Sequence, residues 1–495
     1  MSGAKLLLSV VILVSAAALD AAAAHCGPQI GGKAQSGPNM YAITGLANPT
    51  AFTISDRGAT SYATDGKSTT TAVGYARLQP DAGSTTPAGY LVFSFKQNDV
   101  LISEATVPAA RPVQSGRIYA EVAGSVNTGL AIVNPNSTPA AVSFYFTDSN
   151  GQNFGQGSFT LDPNTQIARF LNEAPFMGAG TIRGTLTFSS SVPVGVIAIR
   201  GLTNERGEFL ITTLPVADVN VAATAGFLFP HYADGGGWTT QVVLVNTTDS
   251  TVNGSVEFLG TGGSTFQYSI APRSSQRVVT SGSGSVTQTG AVRITPAAGT
   301  AAPSGLSIFS FRSGGVTVTE AGVPVLRASQ SFRMYEIECG DHPGELQTGI
   351  AIANPSTTST ATVTLEMTDL NGAAAGRTST LTIPPGGHVS TFTTQLAGFE
   401  SLGWPFHGVL RISTTSSSGV SVVGIRGHNN SRGDFLVTTS TPSDESTATS
   451  TSEAIFPDLA DGGGYGTEFI LFSGSPGQSS RGTLRFFTQS GAQLN

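Results

Sequence analysis

The sequence predicts an all-β protein, a tandem array of antiparallel β-sandwich domains of about 110 residues each. Composition is the first indication, because charged residues make up 11% of the 495 residues, hydrophobic residues 39%, and glycine alone counts 61. Such a chain can bury cores, and its Ser, Thr, Gly and Val suit strands joined by polar turns. Alternating apolar and polar residues, with turn residues about every 8–12 positions, are the second indication.

An internal repeat is the third indication. Gly129–Gly151 returns as Gly349–Gly372, and Phe229–Asn246 returns as Phe456–Ser473. An asparagine ends the same apolar segment at positions 134, 246 and 354, which are 112 and 108 residues apart. One unit is therefore close to the size of one sandwich domain, and two subtypes of the unit alternate along the chain.

The repeat and the composition together predict the domain boundaries. We expect a signal peptide over 1–24, a divergent N-terminal sandwich unit over 25–112, sandwich units over 113–220, 221–327 and 328–440, a Ser/Thr-rich linker over 441–454, and a partial, truncated unit over 455–495. The linker is expected to be extended and protease-sensitive because it lacks apolar periodicity.

The two terminal units match complementary halves of the repeat. Residues 73–108 resemble the second half of a unit, and residues 455–495 resemble the first half. A half sandwich leaves an apolar face and a strand edge uncovered. Truncation of the last unit, with 38–71 completing the first, is the favoured explanation. A last unit that simply stays partial, or pairing of the two halves between molecules, remains open.

The N-terminus predicts export. Lys5 precedes the apolar segment Leu6–Leu19, and the small residues Ala22–Ala24 follow. This is the pattern of a secretory signal peptide cleaved after Ala24, and no later apolar run has membrane length. Cys26 and Cys339 are the only cysteines, and we expect no bond between such distant positions. Lipid modification of Cys26 is a minor alternative.

The tripeptide Arg432-Gly433-Asp434 is a cell-adhesion ligand when a loop displays it. The segment Asn204–Asp218 repeats its context with Glu208 in place of the aspartate. Each tripeptide lies between two β-rich runs, where a β-hairpin turn needs a glycine that tolerates positive φ. The sequence therefore predicts hairpin turns with solvated arginines, and adhesion through the tripeptide is the alternative.

Asp234 and Asp461, in the two copies of an ADGGG motif, are the only metal candidates that repeat. Calcium prefers carboxylate and carbonyl oxygens but needs six or more of them. Capping of backbone N–H groups is therefore the competing interpretation of these two aspartates. The segment Glu336–Glu345 is rich in metal-capable side chains but has no zinc spacing, and we interpret it as a polar loop. No motif of nucleophilic, metal-dependent or phosphate-binding catalysis occurs, so neither a cofactor nor enzyme activity is expected.

The unit resembles the immunoglobulin-like and fibronectin type III-like sandwiches of secreted and surface repeat proteins of bacteria, on segments such as Gly349–Pro355 and Leu381–His388. This resemblance implies a β-sandwich array that is exported or held at the cell surface. We expect a non-catalytic structural, spacer or adhesive protein. Its expected partners are surface polysaccharide or neighbouring surface proteins, and its net charge of −7 argues against nucleic acid. The alternative is a carbohydrate-binding or accessory module set of a secreted hydrolase system.

Overall fold

The computed structural model describes residues 40–43, 49–178, 180–221, 223–260, 263–340, 345–400, 402–403 and 405–494. The predicted signal peptide, its cleavage site and Cys26 lie outside these residues. The described chain consists of strands and connecting turns, with one short 3₁₀ helix at Thr393–Gln395. The all-β prediction is confirmed.

Thirty-three strands form the described part of the chain. In order they are β1 Met40–Ile43, β2 Thr50–Ile54, β3 Ala59–Thr64, β4 Ala72–Pro80, β5 Ala88–Gln97, β6 Val100–Pro108, β7 Val113–Ala123, β8 Val126–Val133, β9 Ala140–Thr147, β10 Asn153–Leu161, β11 Gln166–Phe170, β12 Ile182–Thr203, β13 Phe209–Leu214, β14 Phe227–Asp234, β15 Trp238–Val245, β16 Val252–Leu259, β17 Thr265–Ile270, β18 Ser275–Val279, β19 Gln288–Pro296, β20 Ser304–Ser313, β21 Val316–Pro324, β22 Ser331–Glu338, β23 Leu346–Ala353, β24 Ala361–Asp369, β25 Ala374–Ile383, β26 His388–Phe392, β27 Phe406–Thr414, β28 Ser421–Asn429, β29 Phe435–Ser440, β30 Ser443–Asp444, β31 Ala454–Asp461, β32 Tyr465–Phe472 and β33 Ser480–Thr488.

One strand order recurs through the molecule. In β14–β21, which we call sandwich 3, the two sheets have the orders β14-β19-β16-β17 and β18-β15-β20-β21. Strands β7–β13 repeat this order as sandwich 2, and β22–β29 repeat it as sandwich 4. In sandwich 2 the long strand β12 serves both sheets, with a register break between Ser189 and Val194. Neighbouring strands pair antiparallel except for the parallel pair β1–β3.

The fourth copy of this order, sandwich 1, combines the two ends of the described chain. Its sheets are β31-β4-β33-β2 and β3-β32-β5-β6, so three strands come from 454–488 and five from 50–108. Strand β32 pairs with β5 over eight residues, from Tyr465↔Phe95 to Phe472↔Ala88. This pairing corrects the expectation of a partial sandwich at 455–495, because each segment covers the apolar face and strand edge of the other within one chain.

The four sandwiches are joined head to tail by continuous apolar cores. Ala131 and Ile197 of sandwich 2 pack into the core of sandwich 1, and Val243 of sandwich 3 packs into that of sandwich 2. Ala351 and Val423 of sandwich 4 pack into the core of sandwich 3. A further cluster joins sandwich 4 to sandwich 1 and contains Tyr335, Val409, Tyr90 and Ile470. The order 1-2-3-4-1 therefore closes into a ring.

The last strand of each sandwich lies at the centre of this ring. Strands β6, β13, β21 and β29 are edge strands, and each contacts the corresponding strand of two neighbours. Side-chain hydroxyls bridge them: the Ile211 backbone N–H donates to Ser103 Oγ at 2.9 Å, and the Val437 N–H donates to Thr319 Oγ1 at 3.0 Å. The ring thereby removes four exposed strand edges, which are aggregation hazards in isolated sandwiches.

The Ser/Thr-rich segment 441–454 is bound along its length. Strand β30 pairs with β22, and Glu445 contacts Arg333 Nε at 2.6 Å and Arg411 Nε at 2.9 Å. Farther on, Glu453 contacts Arg77 Nε at 2.8 Å. The expectation of an extended, free linker is therefore wrong, because charged and backbone groups anchor a segment that has no apolar periodicity.

Candidate functional sites around the ring

The two arginine-glycine-acid turns are hairpin turns, as the sequence predicts. Strand β12 pairs with β13 and β28 with β29, and Gly207 and Gly433 occupy the turns at φ of 76° and 79°. Asn204 Oδ1 accepts from the Arg206 and Glu208 backbone N–H groups. Asn430 does the same for Arg432 and Asp434. The repeated asparagine therefore fixes both turns in the same shape.

The two turns meet each other across the ring. Arg206 Nη1 of sandwich 2 lies 2.8 Å from Asp434 Oδ2 of sandwich 4, and Arg432 Nη1 lies 2.6 Å from Glu208 Oε1. Burial acts against ionisation of both carboxyls, but the facing arginines lower the pKa of Glu208 and of Asp434. Both arginines are 36% exposed, as expected of solvated turn residues, but each also pairs with the acid of the other turn, which the sequence did not predict.

This reciprocal pairing favours the hairpin interpretation of the tripeptide. An adhesion ligand must present its arginine and aspartate to a partner, whereas Asp434 has 14% of its side chain exposed and Arg432 is shared between Glu208 and Asp434. The chemistry that the cluster supports is attachment of sandwich 2 to sandwich 4. Glu208 takes the place of the aspartate in the sister turn and pairs with Arg432.

Asp234 and Asp461 lie at equivalent ends of β14 and β31. Asp234 Oδ1 accepts from the Gly282 backbone N–H at 2.8 Å, and Asp461 Oδ1 accepts from that of Gly66 at 3.0 Å. Each aspartate thus caps the loop that precedes β19 or β4. Within the described ranges no three His, Cys, Asp or Glu side chains form a group that could hold a metal ion.

The acidic segment Glu336–Glu345 begins inside β22 with a buried carboxyl pair, which corrects the expectation that the whole segment is a polar loop. Glu336 and Glu338 are both fully buried and point from one face of β22 into the interior of sandwich 4. Thr393 Oγ1 lies 2.7 Å from Glu336 Oε1, 2.8 Å from Glu338 Oε1 and 3.1 Å from the Thr348 carbonyl oxygen. Asp341 and His342 of this segment lie outside the described residues.

Hydrogen-bond accounting requires a proton on this pair. The Thr393 hydroxyl has one proton and three acceptors around it, so at least one carboxyl must be protonated and donate to the hydroxyl oxygen. Burial, followed by the neighbouring Glu338, raises the pKa of Glu336 well above its usual range. Burial also raises the pKa of Glu338 to about 7, although Thr393 and Thr348 act against this shift.

The sister sandwich has apolar residues at all three positions. Ala120 and Val122 of β7 correspond to Glu336 and Glu338 in the shared strand order, and Leu171 corresponds to Thr393. Sandwich 2 folds with this apolar set, so the fold does not need the acids. The pair is a local feature of sandwich 4 beside Cys339. Cys339 is disulfide-bonded, and the expectation about Cys26 lies outside the described residues.

A second buried charge cluster lies where sandwich 4 meets sandwich 1. The Arg426 guanidinium lies 3.5 Å from Glu104 and 3.3 Å from Glu468, and His428 Nδ1 lies 3.2 Å from Glu104. Burial opposes the charge of Glu104, but Arg426 and His428 lower its pKa to about 2. Arg200 forms the corresponding pair with Glu320 between sandwiches 2 and 3, at 3.1 Å.

The remaining two interfaces carry different buried pairs at equivalent places. Between sandwiches 3 and 4, His231 Nδ1 lies 3.3 Å from His388 Nε2, and burial lowers the pKa of His231 to about 4. At the equivalent place between sandwiches 1 and 2, Gln166 Nε2 donates to Asp458 Oδ1 at 3.1 Å. Burial raises the pKa of Asp458 to about 7, against the effect of Gln166.

Sequence reasoning missed the ring and therefore every contact across it. The sequence does contain a signal of this pairing. Arg200 and Arg426 occupy equivalent positions in sandwiches 2 and 4, and Glu104 and Glu320 occupy equivalent positions in sandwiches 1 and 3, so the acidic and basic residues alternate from unit to unit. Buried opposite charges confined to alternate units indicate pairing between neighbouring units.

Comparison with known proteins adds no family. No protein-family model and no curated protein matches the chain. A solved structure described as the triple jelly roll fold and turret assembly of an archaeal virus is 11% identical, with 79% of this chain and 91% of that chain covered and a TM-score of 0.15. The subviral particle of infectious bursal disease virus VP2 is 10% identical, with 78% and 81% covered and a TM-score of 0.13. Similarity this weak supports no statement about the present chain. Among the described residues, no helical segment has the length and hydrophobicity of a membrane span.

Proposed function

We propose that the chain is an exported, non-catalytic protein of the bacterial cell surface with a structural or adhesive role. Its repeats are four tandem sandwich units of one strand order, which we infer to act as one rigid ring. An open string of flexible domains suits a spacer, whereas a closed ring suits a body of fixed shape that presents loops at fixed positions. We therefore favour the structural or adhesive role over that of an extended spacer.

The observation that carries this proposal is the shared sandwich 1. Strands from 454–488 and from 50–108 interleave in both of its sheets, so the described ends of the chain are held together by backbone hydrogen bonds. A fold whose described ends are paired in this way is useful to a protein outside the cell, where chaperones and resynthesis do not replace damaged copies. The groups with perturbed pKa values lie inside the sandwiches or at the interfaces between them. Buried structural ion pairs shift pKa values as catalytic sites do, so these shifts are compatible with a non-catalytic protein.

Fractionation of cells that express the full chain tests the proposal. We expect the processed protein in the surface or extracellular fraction, and we expect the purified protein to adhere to isolated cell envelopes. A variant with Arg206→Glu and Arg432→Glu serves as the control for ring closure. Its two turns carry like charges and repel each other, so the contact between sandwiches 2 and 4 is lost. Retention of the protein in the cytoplasm, or turnover of an envelope polymer by the purified chain, would contradict the proposed role.

A further inference from the structure

A polar groove runs across the outer sheet of sandwich 2. It has a volume of about 700 Å³ and lies between strands β7, β12, β9 and β10 and the 247–249 loop of sandwich 3. Hydroxyl and amide groups dominate its lining, around one tyrosine and one arginine. The residues used below are Arg117, Tyr145, Thr187, Ser189, Gln156 and Ser158.

Arg117 forms the floor of this groove; the Tyr145 hydroxyl hydrogen-bonds with it and Asp249 attracts it, but no carboxylate of the described residues lies in direct salt-bridge contact with it. It is 3% exposed, its Nε donates to Thr187 Oγ1 at 2.7 Å, and its Nη1 donates to the Asn246 carbonyl oxygen at 2.8 Å. Asp249, at the rim, pairs instead with Arg273 at 2.9 Å. A buried guanidinium that lacks a counter-ion is costly, so an anion that reached it would be bound favourably.

Sandwich 4 shows what normally neutralises this position. Arg333 occupies the place of Arg117, and it contacts Asp56 at 3.0 Å and Glu445 at 2.6 Å. Arg411 and Glu366 stand where sandwich 2 has Thr187 and Tyr145, and they pair with each other at 3.1 Å. The corresponding groove shrinks to about 330 Å³. In sandwich 2 the same place is open, and its arginine lacks the direct carboxylate contacts that Arg333 has.

We propose that the sandwich 2 groove binds carboxylate-bearing sugar units of an acidic polysaccharide. The ligand carboxylate replaces the missing acids beside Arg117 and the Tyr145 hydroxyl. Ser189, Gln156 and Ser158 then exchange hydrogen bonds with the sugar hydroxyls, and the Tyr145 ring contacts an apolar sugar face. A glycan fits better than an acidic peptide, because acidic peptides are recognised by clustered arginines and this groove has one, while its many hydroxyl groups suit sugar hydroxyls. The inference rests on the proposed surface location, where such polymers are found.

Binding of the full chain to oligogalacturonate, with neutral dextran and poly-glutamate as comparison ligands, tests this proposal. We expect binding to oligogalacturonate that weakens with salt, and little binding to dextran or poly-glutamate. Ser189→Trp should weaken binding at least tenfold, since the exposed Ser189 lies in the groove. Ser413→Trp, at the equivalent position of sandwich 4, should leave binding unchanged.

A second variant pair separates binding from folding. Tyr145→Glu with Thr187→Arg imports the ion pair of sandwich 4 and should abolish binding without lowering the thermal unfolding midpoint. Absence of oligogalacturonate binding, equal binding of dextran or poly-glutamate, or wild-type binding by Ser189→Trp would each overturn the proposal. If Ser189→Trp still associates with cell envelopes, the proposed surface role stands. The groove proposal is then decided by oligogalacturonate binding alone.

Discussion

The Arg206 guanidinium of sandwich 2 lies 2.8 Å from the Asp434 carboxylate of sandwich 4. These residues are 228 positions apart in sequence, and each belongs to a hairpin turn of the same shape. Arg432 and Glu208 form the reverse pair. Two turns that sequence comparison treats as independent copies are therefore the two halves of one contact, which ties opposite members of the ring together.

A double-mutant cycle with Arg206→Ala and Asp434→Ala should give a coupling free energy of about 0.5–1.5 kcal/mol from urea unfolding. The pair is partly exposed, so high salt should reduce the coupling. Asp434→Glu should change stability by less than about 0.5 kcal/mol, because Glu208 already fills this role in the sister turn. Arg273 and Asp249 form the control pair; Asp249 is 83% exposed and its coupling should be close to zero. A zero coupling for Arg206 and Asp434 would show that the turns do not hold the ring together.

The buried carboxyl pair should make stability fall as pH rises. The folded state raises the pKa of Glu336 and of Glu338, the latter to about 7, above the unfolded value near 4.3. The loss of folding free energy caused by the two buried carboxyls is absent below pH of about 4. It grows as the same carboxyls ionise in the unfolded chain, and it levels off above their folded pKa. The variant Glu336→Ala, Glu338→Val, Thr393→Leu copies sandwich 2. Urea unfolding should show it more stable than wild type by roughly 1–4 kcal/mol at pH 8, with a smaller difference at pH 4.

The opposite outcome for this variant is informative. A loss of stability at pH 8 would mean that the acids are ionised and held by a partner, and the proton accounting at Thr393 would be wrong. Ala120→Ser in sandwich 2 controls for the effect of adding a polar group at the equivalent position.

The buried histidine pair should make the interface between sandwiches 3 and 4 sensitive to acid. Burial depresses the pKa of His231 to about 4 and that of His388 well below its usual range. Both rings are neutral in the folded state. The stability that depends on this neutral pair is fully present above pH of about 6.5 and is lost as pH falls toward 4, because the unfolded chain binds the protons first. His388→Gln copies Gln166 and should reduce the loss of stability between pH 6.5 and 4 by roughly 1–3 kcal/mol. Unfolding curves with identical pH dependence for wild type and variant would contradict this account.

Glu445 should hold the 441–454 segment in place. Its side chain is 3% exposed and lies between Arg333 and Arg411. Glu445→Gln leaves the charge of the buried Arg333 less well neutralised. We expect the free energy of unfolding to fall by about 2–5 kcal/mol and new protease cleavage to appear in this segment. Glu257→Gln, which removes the exposed partner of Arg293, should cost less than about 1 kcal/mol. Rapid cleavage of the segment in the wild-type chain would favour the free linker that the composition suggests.

The sequence was sufficient for local structure and insufficient for assembly. Alternation in Ala140–Thr147 and the glycines at 207 and 433 predict a strand and two turns, because strands and turns depend on neighbours in sequence. The capping role of Asp234 depends on its own loop and is predictable for the same reason. Pairing of β32 with β5 was not predictable, since its partners are 370 or more residues apart. Composition alone also misjudged 441–454, where three ionic contacts decide the structure.

Hydrogen exchange of the full chain, as a dilute monomer, tests ring closure most directly. The account predicts that amides in β32 and β5 are as protected as those in β8 and β12. A chain ending at residue 453 should lose protection in β4 and β5 as well, because β31–β33 supply their partners, while β8 and β12 stay protected. Protection of β4 and β5 that survives this deletion, or protection of β32 that appears only at high protein concentration, would contradict a ring closed within one chain.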